Sequence, residues 1–139
     1  MNIREMEQDD IPALARLNCS IFKDTDESLA GRVFSDSFGK RVEGASLVAE
    51  DNGSIIGAII AERKTTFYPK AAGIKSFFVM EEYRGRGIGK MLLAKCLAAL
   101  KGAGIESVSL TVDPDNKGAI SVYEDEGFGL FRLKYLKRL

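Results

Sequence analysis

Apolar residues recur along this chain with two periods, about 3.6 and about 2, and the changes between them mark its elements. Asn2 to Glu5 reads as a short strand. Ile11, Leu14, Leu17, Asn18 and Ile21 then share one helical face, predicting a helix capped by Asp9 or Asp10, with Pro12 in its first turn, that reaches Phe22. The polar run KDTDES breaks this pattern. A second helix is predicted from about Ser28, carrying Leu29, Val33, Phe34 and Phe38 and stopped by Gly39. Leu47 to Glu50 and Ser54 to Glu62 flank Asp51-Asn52-Gly53, whose Asn-Gly pair predicts an antiparallel hairpin. After a loop containing Pro69, Gly73 to Met80 forms the next predicted strand. It is apolar on nearly every residue from Phe77 to Met80, as a central strand covered on both faces would be.

The helical period returns at Ile88, Leu92, Cys96, Ala99 and Ala103, one apolar stripe that leaves Lys90, Lys95 and Lys101 in solvent, until Gly102 and Gly104 end the helix. Ser107 to Val112 alternates as a strand, with Val108, Leu110 and Val112 on one side. Strand, glycine loop, helix and strand make a crossover, which implies two parallel neighbours. A short helix from Asn116 to Glu126 turns Ala119, Ile120 and Tyr123 inward and meets Gly127 at its C-terminus. A last strand is predicted over Leu130 to Leu136, where Phe131, Leu133 and Tyr135 alternate with Arg132 and Lys134.

Length and charge narrow the chemistry. With 139 residues the chain fits a single domain, 1–139, so two substrates would share one cleft. Twenty basic and twenty acidic residues cancel, which removes the electrostatic footprint of a general nucleic-acid binder. Neither a membrane span nor a signal-peptide pattern is found, so no membrane partner and a cytoplasmic location are expected. Cys19 and Cys96 stand alone in apolar settings and read as buried reduced thiols. The chain has no histidine, so proton transfer falls to Glu, Asp, Tyr, Lys or water, and no metal is expected.

The chemistry concentrates in IKSFFVMEEYRGRGIG, a strand followed by a basic, glycine-spaced loop that opens a helix. Such a helix N-terminus offers backbone N–H groups to an anion, and Gly85, Gly87 and Gly89 have no Cβ to obstruct it. A nucleoside-triphosphate loop needs glycine where Arg84 stands and Ser or Thr where Met91 stands. A dinucleotide fingerprint from Gly85 needs glycine at Lys90. Neither pattern fits.

Arg84, Gly87 and Gly89 do satisfy Arg-x-x-Gly-x-Gly, and SVSLTVDPDNKGAISVYEDEGF follows with Asn116, Ala119, Tyr123 and the Gly127-Phe128 pair. Together, in this order and spacing, the two motifs resemble the GNAT superfamily of acyl-CoA N-acyltransferases. The resemblance covers nearly the whole chain and is strongest from Gly73 to Phe128. It implies an α/β fold with a mixed, mostly antiparallel central sheet, a splayed parallel pair and helices on both faces, in the order β-α-α-β-β-β-α-β-α-β. One departure is that the segment from Gly127 to Leu139 is short for the family's final hairpin, which leaves a sheet edge open to a second subunit and makes a homodimer one expectation.

The resemblance further implies acetyl-CoA as acyl donor, held in the splay by the backbone of Phe78, Val79 and Met80. Arg84, Gly85, Arg86, Gly87, Ile88, Gly89 and Lys90 would take its pyrophosphate. Asn116 is either a helix cap alone or a cap that also touches the cofactor arm. Tyr123 matches the family's general acid. A phenol of pKa about 10 is protonated at neutral pH and can hydrogen-bond a thiolate whose acid has pKa about 8.5. The acceptor is an amine, of a small molecule or of a peptide or protein. An alkylamine of pKa about 10.4 is almost wholly charged at neutral pH and needs a base. Glu62, Glu81 and Glu82 lie at strand ends, and Glu81 is taken as the candidate base, acting through water. Where some relatives carry a glutamate early in the central strand, Gly73 and Lys75 stand here. Asp24, Asp26 and Glu27, between the first two helices, hint at a cationic acceptor. The rival reading is an acyl-CoA-binding regulatory or interaction module with little or no turnover.

Overall fold

A computed structural model describes all residues from Met1 to Leu139. Five strands, β1 (Asn2–Glu5), β2 (Leu47–Asp51), β3 (Ser54–Arg63), β4 (Ala71–Val79) and β5 (Ser107–Leu110), form one sheet in chain order. The first three junctions are antiparallel and β4 runs parallel to β5. At the β2–β3 hairpin, Asn52 and Gly53 adopt φ of 51° and 79°, the left-handed pair that the Asn-Gly signal predicts. The parallel junction is bridged by α3 (Ile88–Gly102), as the crossover pattern requires.

Alternation along the strands sends side chains into two separate cores. On one face, α1 (Ile11–Ile21) and α2 (Glu27–Gly39) cover Val48, Ala58, Ile60 and Phe78 with Leu14 and Phe34. On the other, Leu92, Leu93, Cys96 and Leu100 of α3 cover Ala49, Ile59, Ala61 and Ile74, and Val122 and Tyr123 of α4 (Lys117–Asp125) pack at the margin. The helices thus lie on both faces; β3 is the middle strand of the five, and β4, expected to be central, lies between β3 and the edge strand β5. Burial pushes the Cys96 thiol up to about 12, consistent with an inert core cysteine.

The helices depart from the expected pattern in three places. Asp10 precedes α1 without capping it. Its carboxylate instead accepts the Glu7 N–H at 2.7 Å and two Arg4 bonds at 2.9 Å each, tying β1 to the first helix. In α2, Asp26 is the cap, accepting from the Leu29 N–H at 2.8 Å. The helix is rotated from the expected face: Ala30, Phe34 and Ser37 are buried, whereas Leu29 and Val33 are 58% and 43% exposed. In α3 the stripe runs through Leu93 and Leu100 rather than on to Ala103, which is exposed where the helix ends.

The last strand expected over Leu130–Leu136 does not form. Leu130, Phe131, Leu133, Tyr135 and Leu136 are all exposed, and no strand follows α4. An alternating pattern becomes a strand only where a sheet edge accepts it, and this segment pairs with none. Strand β5 also stops at Leu110, short of the expected Val112.

Candidate active site

Parallel pairing between β4 and β5 runs from Ala71 opposite Ser107 to Ile74 opposite Leu110 and then ends, although β4 continues to Val79. At the same point the β3–β4 register shifts between Ile60 and Ala61, leaving Lys75 as an extra residue in β4. A bulge bends its strand. Here the bend coincides with the separation of β4 from β5. From Lys75 to Val79 β4 therefore has β3 on one side and an open gap on the other.

At the wide end of this gap the chain makes a single helical turn over Glu81–Tyr83 and enters the glycine loop. Gly85 and Gly87 adopt φ of 78° and 81°, and a Cβ on either would meet nothing within 4 Å. Backbone conformation, with open space above it, explains glycine at both. Met91 donates the first helical bond of α3 to the Gly87 carbonyl at 3.0 Å, so the N–H groups of Ile88, Gly89 and Lys90 precede the ladder and face outward along the axis. Two loop arginines are already committed. Arg84 Nε donates to the Val79 carbonyl at 2.8 Å, while Arg86 donates to the Glu82 carbonyl at 3.1 Å and stacks on Tyr83 at 4.8 Å. They fasten the loop to β4 and to its own turn, leaving anion binding to backbone amides and to the exposed Lys90.

The loop forms one wall of a cavity of about 370 Å³. Phe77 and Val79 of β4 line its floor, and Ala119, Val122 and Tyr123 of α4 close it opposite the loop. Tyr123 packs between Phe77 and Phe128, with ring centroids 6.3 and 5.9 Å away. Burial raises its pKa, so the phenol keeps its proton at neutral pH. Asn116 accepts the Ala119 N–H at 3.2 Å and so caps the helix that carries Tyr123.

The structure brings the loop glycines, Ile88, Lys90, Val79 and Tyr123 together. The Phe78 side chain is buried on the opposite face among α1 and α2, so only its backbone reaches the gap, and Met80 packs against both cores. Glu81 is exposed in the turn after β4. Sequence reasoning missed Phe77, Val122 and Tyr83. The alternation with Val79 identifies Phe77 in retrospect, whereas nothing in the motif marked Tyr83, whose hydroxyl donates to Asp51 at 3.0 Å and anchors the turn to the β2–β3 hairpin.

A parallel pair that splays beside a helix-capping glycine loop, with a half-buried phenol opposite, is the arrangement that the resemblance to the N-acyltransferase family implies. Comparison with known proteins agrees: the model of the Acetyltransferase (GNAT) family matches residues 11–128, and the chain belongs to that family. Over 91 residues it is 34% identical to N-alpha-acetyltransferase 30 of Schizosaccharomyces pombe, covering 65% of this chain and 61% of that protein. Over 92 residues it is 36% identical to a putative phosphinothricin acetyltransferase, YwnH, of Bacillus subtilis, covering 60% and 55%. Among solved structures, Ard1 from Thermoplasma volcanium superposes with a TM-score of 0.79 at 26% identity, over 94% of this chain and 84% of that one. The chain spans less than two thirds of the length of the curated relatives it matches first.

Proposed function

We propose that this domain transfers the acetyl group of acetyl-CoA to a primary amine by direct attack in a ternary complex. The observation that carries the reading is that the glycine loop, the unpaired stretch of β4 and the Tyr123 ring converge on one cavity. The site fits this donor. Open space above Gly85 and Gly87 admits a pyrophosphate to the amides of residues 84–90, and the free side of Lys75–Val79 can hold an extended amide-bearing arm as an added strand. Acetyl-CoA would supply a thioester, an acetyl group already activated toward an amine.

The protein's part is to position and to move protons. Backbone groups of β4 orient the donor arm and polarise its carbonyl. Tyr123, neutral and half-buried, hydrogen-bonds the sulfur as it becomes a thiolate. Asn116 holds the first turn of the Tyr123 helix and so keeps the phenol in place. Glu81, open to solvent beside the loop, would pass protons to water. Neither cysteine suits a covalent acyl intermediate, because Cys96 is buried in the α3 core with a raised pKa and Cys19 packs against the α1/α2 core, away from the cavity. Among the relatives, the name N-alpha-acetyltransferase 30 points to an α-amine and that of the putative phosphinothricin acetyltransferase YwnH to a small amine.

The test is thiol release from acetyl-CoA across a panel of polyamines, small amines and peptides with free N-termini. Amine-dependent release is expected from at least one class. Thermal stabilisation by acetyl-CoA with no release from any amine would instead define a cofactor-binding module.

A further inference from the structure

We infer that Glu62 is the carboxylate that receives the acceptor amine, on the face of the sheet opposite the donor cavity; this rests on the acetyl-transfer reading above. Glu62 pairs with Gly73 of β4 on one side and bridges Arg41 on the other, and Gly73 pairs in turn with Ser109 of β5. Directly opposed residues share a face, so these four form one row across the sheet. The next pair, Ile74 with Leu110, is the last before β4 and β5 separate. The row therefore lies one pair before the head of the gap.

Its side chains lie on the α1/α2 face. Ala61 belongs to the α3 core and Ile60 to the α1/α2 core, so alternation places Glu62 with Ile60. Phe77, Tyr123 and the glycine loop occupy the other face. A donor held on the α3 side leaves the α1/α2 side to the amine, which would approach the head of the gap past the Lys64 side chain, with Glu62 one strand away.

The carboxylate has an unmet need. Its Oε2 atom is buried and has no hydrogen-bond partner. The cations that face it are held elsewhere: Lys40 at the end of α2 by Asp36 at 3.0 Å, Arg41 by the Phe38 carbonyl at 2.7 Å, and Lys64, just past the end of β3, by the Ser109 hydroxyl at 3.0 Å. A buried carboxylate oxygen without a donor destabilises a fold, and such costs are found where function uses the group. Gly73 brings no side chain to this row, and the Lys64 side chain crosses over it, with Cε 2.5 Å from where a Cβ would sit. Glu62 is the one acid in the row.

The proton balance is simple. The acceptor ammonium gives one proton to Glu62. Its nitrogen then forms the bond to the acetyl carbon as the carbon–sulfur bond breaks, and the thiolate takes the Tyr123 proton. The second nitrogen proton, lost as the amide forms, returns through water to Tyr123, and Glu62 releases the first to solvent. This places the initial proton acceptor on Glu62 rather than on the exposed Glu81.

The experiment compares wild type, Glu62→Gln, Glu62→Asp and Glu81→Gln by thiol release, with an alkylamine and an α-amine peptide, from about pH 6 to about pH 10. Without Glu62 only amine already neutral in solution reacts. Glu62→Gln should therefore lower kcat/KM for the alkylamine about 10-fold or more at neutral pH, less for the α-amine, with recovery as the pH nears the amine pKa of about 10.4. Glu62→Asp should restore part of the loss, and acetyl-CoA binding and Tm should be unchanged or higher. Wild-type kinetics in Glu62→Gln, a loss equal at every pH, a fall in Tm with loss of acetyl-CoA binding, or transfer of the pH effect to Glu81→Gln would each overturn the assignment. Absence of thiol release from the wild type with every amine would overturn the acetyl-transfer reading, and this assignment with it.

Discussion

The two faces of the sheet are built on different principles. The α3 face carries a site made mainly of backbone: amides at a helix start, glycines with positive φ, and a strand edge released by a bulge. Across the sheet, the α1/α2 face presents side chains, a partly buried carboxylate among tethered cations and an apolar margin of Phe22, Leu29 and Val33. A backbone site tolerates almost any side chain at its variable positions but requires specific φ values. A side-chain site depends on which residues the fold brings together from distant segments.

The largest expected break is therefore in the loop. Gly87→Val forces a β-branched residue to φ 81° at the start of α3, a strain of roughly 1–3 kcal/mol. It should abolish the Tm increase that acetyl-CoA gives, with a loss of affinity of about 100-fold or more by calorimetry. Next is Tyr123→Phe, which should lower turnover by about 10-fold or more with little change in acetyl-CoA affinity. An equal loss in affinity would reassign Tyr123 to binding.

Removing side-chain support elsewhere should leave the loop intact. Burial alone would raise the Asp10 pKa, but the Arg4 hydrogen bonds, the Glu7 N–H and the Arg4 charge outweigh it and hold it below the usual carboxylate value. A depressed folded pKa gives stability that is present above the unfolded pKa of about 3.9 and lost as pH falls through the folded value. Asp10→Asn should thus cost about 1–3 kcal/mol in urea unfolding at pH 7, a penalty that shrinks as the pH falls below about 4. Smallest of all, Leu29→Ser should change stability by no more than about 0.5 kcal/mol. Because Leu29 lies 58% exposed on the face proposed to receive the amine, any effect should appear in KM for the amine rather than in acetyl-CoA binding.

Legibility in the sequence followed the same division. The hairpin at Asn52-Gly53, the crossover through α3 and the loop glycines were readable because each is a local rule of φ or period. The exposed face of α2 was not, because Ser37 is buried while Leu29 is not, and only the neighbouring strands decide that rotation. The missing strand after Gly129 has the same cause: Phe131, Leu133 and Tyr135 alternate correctly, yet pairing is set by which edge lies within reach. Glu62 looked like an ordinary strand-end acid until its register with Gly73 and the engagement of Lys40, Arg41 and Lys64 placed it in a row one pair before the gap.

The bulge at Lys75 has a consequence for exchange with solvent. An inner strand is ordinarily slow to trade amide hydrogen for deuterium, since both of its sides are sealed by neighbours. Here the half of β4 beyond Ile74 has lost one seal, so its gap-facing amides should exchange orders of magnitude faster than those paired to β3, on alternate residues of one strand. An acyl donor that pairs with those amides should slow them selectively, giving a residue-by-residue fingerprint of donor binding that requires neither turnover nor a known acceptor.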